Sequence, residues 1–176
     1  IMRRLCLLFL LIGTYCYAGE RKYTVDSPDG KIQLAIIQTD AGELTYQLSV
    51  KRKQVIDASA LGFKTEDGLT FPFRGWKMGK VTRNKVNSVW KPLWGKRAVV
   101  PDKYNEMKLS FVNEAKSSDA LEVVARAYNE GVAFRYVSPQ DAGSALELTT
   151  FNFAGDYTAW FYNCLLYTSD AADDLT

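Results

Sequence analysis

The sequence contains no histidine, so any chemistry in this chain of 176 residues must rest on carboxylates, phenols, amines and hydroxyls. That absence removes Ser-His-Asp and Cys-His nucleophiles, imidazole metal ligation and the commonest general base. Two acidic pairs are left as acid/base candidates: Glu66-Asp67 at an expected turn, and Asp102 with Glu106 on either side of Tyr104. Two carboxylates cleave a glycosidic bond when they stand about 5–5.5 Å or 6.5–9.5 Å apart across the sugar. Adjacency in sequence does not supply that separation, so both pairs are read as solvated surface acids. The residues alone therefore assign no catalytic group, no binding residue and no metal ligand. Glycine spacing offers no phosphate cradle after a strand, and Lys51-Arg52-Lys53 reads as a charged loop. Lys plus Arg is 22 against 20 for Asp plus Glu, and a net charge of +2 is too small for an electrostatic nucleic-acid partner.

Both ends are read as lying outside the fold. Met2, Arg3 and Arg4 precede the apolar run Leu5 to Ile12, and small residues lead to an expected cleavage after Ala18. Residues 1–18 thus read as a signal peptide, with export to the periplasm or the medium. The run falls well short of the about 20 residues a membrane helix needs, so no membrane span is expected once it is removed. At the other end, Cys164 to Asp173 reads like the translation of a sequencing-library adapter, and residues 164–176 are set aside as a non-native tail. Cys6, Cys16 and Cys164 all fall in these end segments, so the remaining 19–163 must hold together by its core without disulfides.

Within 19–163 almost every periodic segment has period two. Ile32, Leu34 and Ile36 alternate with polar or small neighbours, as do Leu44, Tyr46, Leu48 and Val50, and turn residues 39–43 join them as a hairpin. Ser27-Pro28-Asp29-Gly30 is a tight turn feeding the first of these strands. Met107, Leu109 and Phe111 continue the pattern. A second hairpin pairs Leu121, Val123, Ala125 and Ala127 with Val132, Phe134 and Tyr136, and left-handed geometry is expected at Gly131. Leu146, Leu148, Phe151 and Phe153 indicate a further strand with a shifted alternation. No window carries an apolar stripe at helical spacing. The expectation is an all-β domain, a β-sandwich incomplete at its C-terminal end, whose missing strands leave unpaired edges and apolar surface.

Residues 68–106 are less regular and aromatic, with Phe71, Phe73, Trp76, Trp90, Trp94 and Tyr104, and Pro72, Pro92 and Pro101 are expected to break strands. These rings either stack on sugar faces or cover the open end of the core, and the core role is the expected one. Arg135 faces away from Phe134 and Tyr136. Two placements are open for it: a hydrogen bond to Glu106 or Glu130, or solvent.

The order and spacing of several short pieces resemble the N-terminal domain of glycoside hydrolase family 97. These pieces are Ser27-Pro28-Asp29-Gly30, Leu44-Thr45-Tyr46, Leu61-Gly62-Phe63, Trp90-Lys-Pro-Leu-Trp94-Gly95, Tyr104-Asn105-Glu106, Arg126 to Tyr136, and Phe151 through Trp160. The resemblance implies a super-sandwich of the galactose-mutarotase-like type, packed against a (β/α)₈ barrel that carries the catalytic carboxylates. It implies exported α-glucosidases or α-galactosidases acting on α-linked oligosaccharides, with a calcium ion near the substrate. It also implies a calcium carboxylate lent from just beyond Trp160. The family pattern stops at Asn163, so no catalytic or calcium residue is carried over, and Asp170, Asp173 and Asp174 are not calcium ligands on this reading. This chain alone is expected to be inactive. The competing expectation is a free-standing carbohydrate-binding or adhesion module.

Overall fold

The computed structural model describes residues 20–66, 68, 70–72, 75–94, 97–114, 120–138 and 143–158. The expected signal peptide, the tail from Cys164, the Trp160 segment, Asp67, Phe73 and Gly95 lie outside the described residues.

Period-two patterning has become strands throughout: β1 Arg21–Asp26, β2 Ile32–Gln38, β3 Leu44–Val50, β4 Lys53–Leu61, β5 Phe63–Thr65, β6 Thr70–Phe71, β7 Trp76–Trp90, β8 Val100–Asn113, β9 Ala120–Tyr128, β10 Val132–Val137 and β11 Ala145–Glu147. They form a four-stranded sheet in the order β1-β2-β3-β4, a second in the order β10-β9-β8-β7, and a small third sheet, β11-β5-β6. Every pairing is antiparallel. The domain is an all-β sandwich, as its alternation predicts.

The core lies where the two larger sheets face each other. Leu34, Ile36, Leu44 and Tyr46 from the first layer share it with Met107, Leu109, Phe111, Val123, Ala125 and Ala127 from the second. Burying a side chain of this size contributes about 1.5–3 kcal/mol. The small sheet closes one end. Phe71, fully buried, stands 5.1 Å from Trp76 and 5.2 Å from Phe111 in edge-on contacts, and 5.8 Å from Phe63. Gly62 joins β4 to β5 where a Cβ would lie 2.5 Å from the Phe71 carbonyl oxygen, so only glycine fits the close approach.

The Ser27–Gly30 turn forms as its residues dictate. Gly30 takes a φ of 70°, and its N–H donates to the Ser27 carbonyl at 2.9 Å. The Ser27 hydroxyl donates to the Asp29 carboxylate at 2.6 Å and accepts from the Ile32 N–H at 3.0 Å. That Ser27 bond, reinforced by Lys31, lowers the Asp29 pKa to about 2. The Asp29 N–H reaches Asn129 in the β9–β10 loop at 3.0 Å, tying the two layers together.

Three local expectations are corrected. Residues 76–90 and 100–106 of the stretch expected to be irregular are strand: β7 and β8 make one long hairpin, paired from Trp76↔Asn113 to Trp90↔Val100. Pro101 does not break it, because β9 pairs with β8 only from Tyr104 onward, leaving Pro101 opposite Val89 with no third strand asking for its missing N–H. Gly131 does not adopt the left-handed region, which is reached instead at Gly30, Gly42, Gly68, Gly75 and Gly143 and at Lys51 and Arg52. The charged loop at Lys51-Arg52 is a two-residue hairpin turn with φ of 50° and 66°, the primed geometry that matches strand twist. Finally, the strand expected over Leu146–Phe153 is regular only in β11. Beyond it the chain follows β4 through interrupted backbone bonds, Thr150 N–H to the Ala60 carbonyl at 3.1 Å and Asp57 N–H to the Asn152 carbonyl at 2.8 Å. Side chains supplement them: Thr150 Oγ1 accepts from the Ala60 N–H at 2.8 Å, and Ser59 Oγ accepts from the Asn152 N–H at 2.9 Å.

Candidate functional site

The outer face of the second sheet gathers the polar residues of two separate sequence stretches. Glu106 on β8 lies directly across from Arg126 on β9, and Tyr104 across from Tyr128. Register alone therefore brings a carboxylate and a guanidinium together. The Arg126 Nε–H donates to Glu106 Oε2 at 2.8 Å, and Lys108 Nζ stands 3.8 Å from the other carboxylate oxygen. The guanidinium also lies 4.3 Å from the centroid of the Tyr104 ring, itself 5.0 Å from Tyr128. Glu106 is only 7% exposed at its side chain although it faces outward, because these neighbours cover it. Burial works against the charge on Arg126, but hydrogen bonding to Glu106 and Tyr128 outweighs it and raises the guanidinium pKa further. Burial likewise raises the Tyr104 phenol, with Arg126 opposing.

This arrangement settles Arg135. It is exposed, and the partner of Glu106 is Arg126, two cross-strand positions away on the neighbouring strand. Of its two expected placements, solvent is the one found. Glu130, the other acid proposed for it, is also exposed.

The carboxylate candidates do not converge. Asp102 and Glu106 are four residues apart on one strand, roughly 13 Å at about 3.3 Å per residue, beyond the glycosidase window. Glu106 is moreover committed to an ion pair. Glu66 is exposed after β5, and its neighbour Asp67 is outside the described residues. Among the described residues no three carboxylate or thiol side chains are gathered closely enough to hold a metal ion.

A polar cleft of about 620 Å³ opens at the mouth between the layers, lined in part by Thr24, Asp26, Ser27, Arg83, Lys85 and Asn105. Arg83 donates to the Thr24 carbonyl and Asn105 Nδ2 to the Asp26 carbonyl at 2.7 Å, so the same side chains that line the cleft stitch β1 to the second sheet. Among the described residues no aromatic ring lines it. A smaller hollow of about 130 Å³ is lined by Arg126 and Arg135 together with Val124, Tyr128 and Phe134.

The aromatic residues divide. Phe71 and Trp76 are buried in the core, as the core role predicts, whereas Tyr104 is buried on the outer face beneath Arg126 and beside Tyr128. Trp90 and Trp94 are not: they are 54% and 85% exposed, at the tip of the β7–β8 hairpin, beside Leu93 at 97%. Sequence reasoning missed this division and missed Arg126. Its signal for Arg126 was the register between β8 and β9, which neither strand encodes alone.

The glycosyl-hydrolase 97 N-terminal family matches residues 25–174. A retaining α-galactosidase of Bacteroides thetaiotaomicron is 24% identical over 191 residues, covering 96% of this chain and 28% of that protein. A probable retaining α-galactosidase of Streptomyces bingchenggensis is 30% identical over 155 residues, covering 86% of this chain and 24% of the other. Among solved structures, a glycoside hydrolase family 97 enzyme from Pseudoalteromonas sp. strain K8, determined with panose and with acarbose, superposes with a TM-score of 0.65 at 34% identity over 75% of this chain and 20% of that enzyme. The chain thus spans about a quarter of the length of the curated relatives it matches. Since that family match takes in most of the chain, the chain belongs to the glycosyl-hydrolase 97 N-terminal family.

Proposed function

We propose that this chain is the non-catalytic strand scaffold of an exported, calcium-dependent α-glycosidase, an α-glucosidase or α-galactosidase. The enzyme cleaves α-linked oligosaccharides in a (β/α)₈ barrel carried elsewhere in the full-length polypeptide. The observation that carries this reading is coverage: the match uses nearly all of this chain but only 28% of the Bacteroides enzyme and 24% of the Streptomyces one. The carboxylates support it, since Glu106 is tied to Arg126 and stands too far from Asp102 for acid/base work on one glycosidic bond. The described residues do not fit a calcium ion by themselves, because they bring no three carboxylates together; in this reading the ligands come from the rest of the polypeptide. The substrate class follows from relatives named for α-galactosides and from the panose and acarbose complexes.

The test is turnover of aryl α-glucoside and aryl α-galactoside by the full-length protein and by this chain alone. The full-length protein is expected to hydrolyse one of them, to lose activity in a calcium chelator and to regain it with calcium; the chain alone is expected to be inert. Turnover by the chain alone overturns the scaffold role. A second reading, a free-standing carbohydrate-binding or adhesion module, is favoured by the exposure of Trp90 and Trp94. It requires saturable binding of panose to this chain, read by tryptophan fluorescence.

A further inference from the structure

We propose that the outer half of the β7–β8 hairpin is a docking finger, whose tip of Val89, Trp90, Leu93, Trp94 and Val99 is buried in a concave, acid-rimmed apolar receptacle on the rest of the full-length polypeptide. This rests on the scaffold reading above.

The geometry begins where the sheet ends. β9 stops pairing with β8 at Tyr104↔Tyr128, yet β7 and β8 continue paired to Trp90↔Val100. Those residues carry the hairpin roughly 13 Å past the sheet, at about 3.3 Å per residue. A two-stranded hairpin alone is marginal in water, and this one presents two indoles and three aliphatic side chains to solvent. Leu93 is 97% exposed and Val89 63%.

The chemistry of the tip selects its occupant. Sugars stack on rings and gain little from branched aliphatic chains, whereas rings mixed with Leu and Val resemble the dry centre of a protein interface. The surrounding charges are mostly cationic: Lys85, Lys91, Arg97 and Lys103 are exposed nearby, with only Asp102 opposing. A complementary receptacle carries acids at its rim. A second copy of this chain is a poor host. The 620 Å³ cleft is lined by charges of both signs, Asp26 and Glu106 beside Arg83 and Lys85, and is no apolar receptacle, while the hollow of 130 Å³ is small beside two indoles and sets Arg126 and Arg135 against a cationic finger. The remaining host is the portion of the enzyme outside this chain, about three quarters of the length of the relatives.

The experiment is hydroxyl-radical footprinting of Trp90 and Trp94 in the full-length protein, with N-acetyltryptophanamide as reference, beside the aryl glycoside assay. Labelling of Trp94 is expected about tenfold below the reference, as a ring exposed here becomes a buried one. Leu93→Asp is expected to lower the unfolding midpoint of the full-length protein by several degrees while leaving this chain alone unchanged. Trp94 labelled at the reference rate in an active full-length enzyme overturns the finger and leaves the scaffold reading standing. Protection without any glycosidase activity does the reverse. Protection that vanishes on dilution with a change in oligomer mass, or that appears only with panose, overturns the finger in favour of a second copy or a sugar.

Discussion

The two halves of the β7–β8 hairpin are made of similar residues and meet opposite fates. Its inner half places Trp76 against Phe71 and buries Met107, Leu109 and Phe111 completely, whereas its outer half holds Trp90 and Trp94 in solvent. Residue type does not separate them. What separates them is company: the inner half has β9 beside β8 and the β1–β4 layer beneath, and the outer half has neither. Burial of a ring in a sandwich is thus a property of strand count and layer overlap rather than of the ring.

The comparison breaks most readily at the inner half. Phe111→Ala is expected to cost about 3–5 kcal/mol, as for other large-to-small changes at fully packed rings. A urea midpoint close to that of the parent would mean that the inner half is no better packed than the outer. Next in size is the polar face between the halves. Arg126→Ala leaves the Glu106 carboxylate covered without its partner and is expected to cost about 1–3 kcal/mol. Arg135→Ala, at an exposed position, is expected to stay within about 0.5 kcal/mol. Equal effects of these two changes in the same unfolding experiment would show that the Arg126–Glu106 register is not what matters.

A pH titration sharpens the picture at the buried end. Burial pushes the Tyr136 phenol up to about 12, against the weaker opposing bond with Thr149. Between about pH 10 and 12 the unfolded chain releases that proton and the folded one keeps it, so stability is whole below pH 10 and falls as pH rises towards 12. Tyr136→Phe is expected to flatten part of that fall; an unchanged alkaline limb would place the phenol in water. The smallest effect belongs to the outer tip: Trp94→Ala in this chain is expected to shift the unfolding free energy by less than about 0.5 kcal/mol.

Much of this fold was legible in the alternation of single strands. β2, β3, β9 and β10 were each expected at their place, and the apolar set read from the alternation faces the core, with Ala35 and Ile37 of β2 and Val124 of β9 covered on the other face as well. β4 was not, because register shifts opposite Tyr46 and Leu48 put its buried residues at Ile56, Ser59 and Leu61, a spacing of three and then two. β7 was hidden in the same way: a shift between Met78 and Val81 moves its inward set out of phase at Gly79-Lys80. At the polar face, the sequence pointed to Glu106 but paired it with Arg135 or left Arg135 in water. The true partner, Arg126, follows only from which residue of β9 stands opposite β8, and that information lies between strands. The exposure of Trp90 and Trp94 was illegible for a similar reason, since nothing local reveals where a neighbouring strand ends.

The bond from the Asp29 backbone to Asn129 joins residues one hundred positions apart, yet within each larger sheet every neighbour in space is also the next strand in the chain. Each layer can therefore assemble from successive short loops, at little entropic expense, in the order in which it emerges. The slow event left over is the meeting of two finished sheets, and Asn129 sits at the clasp that records it.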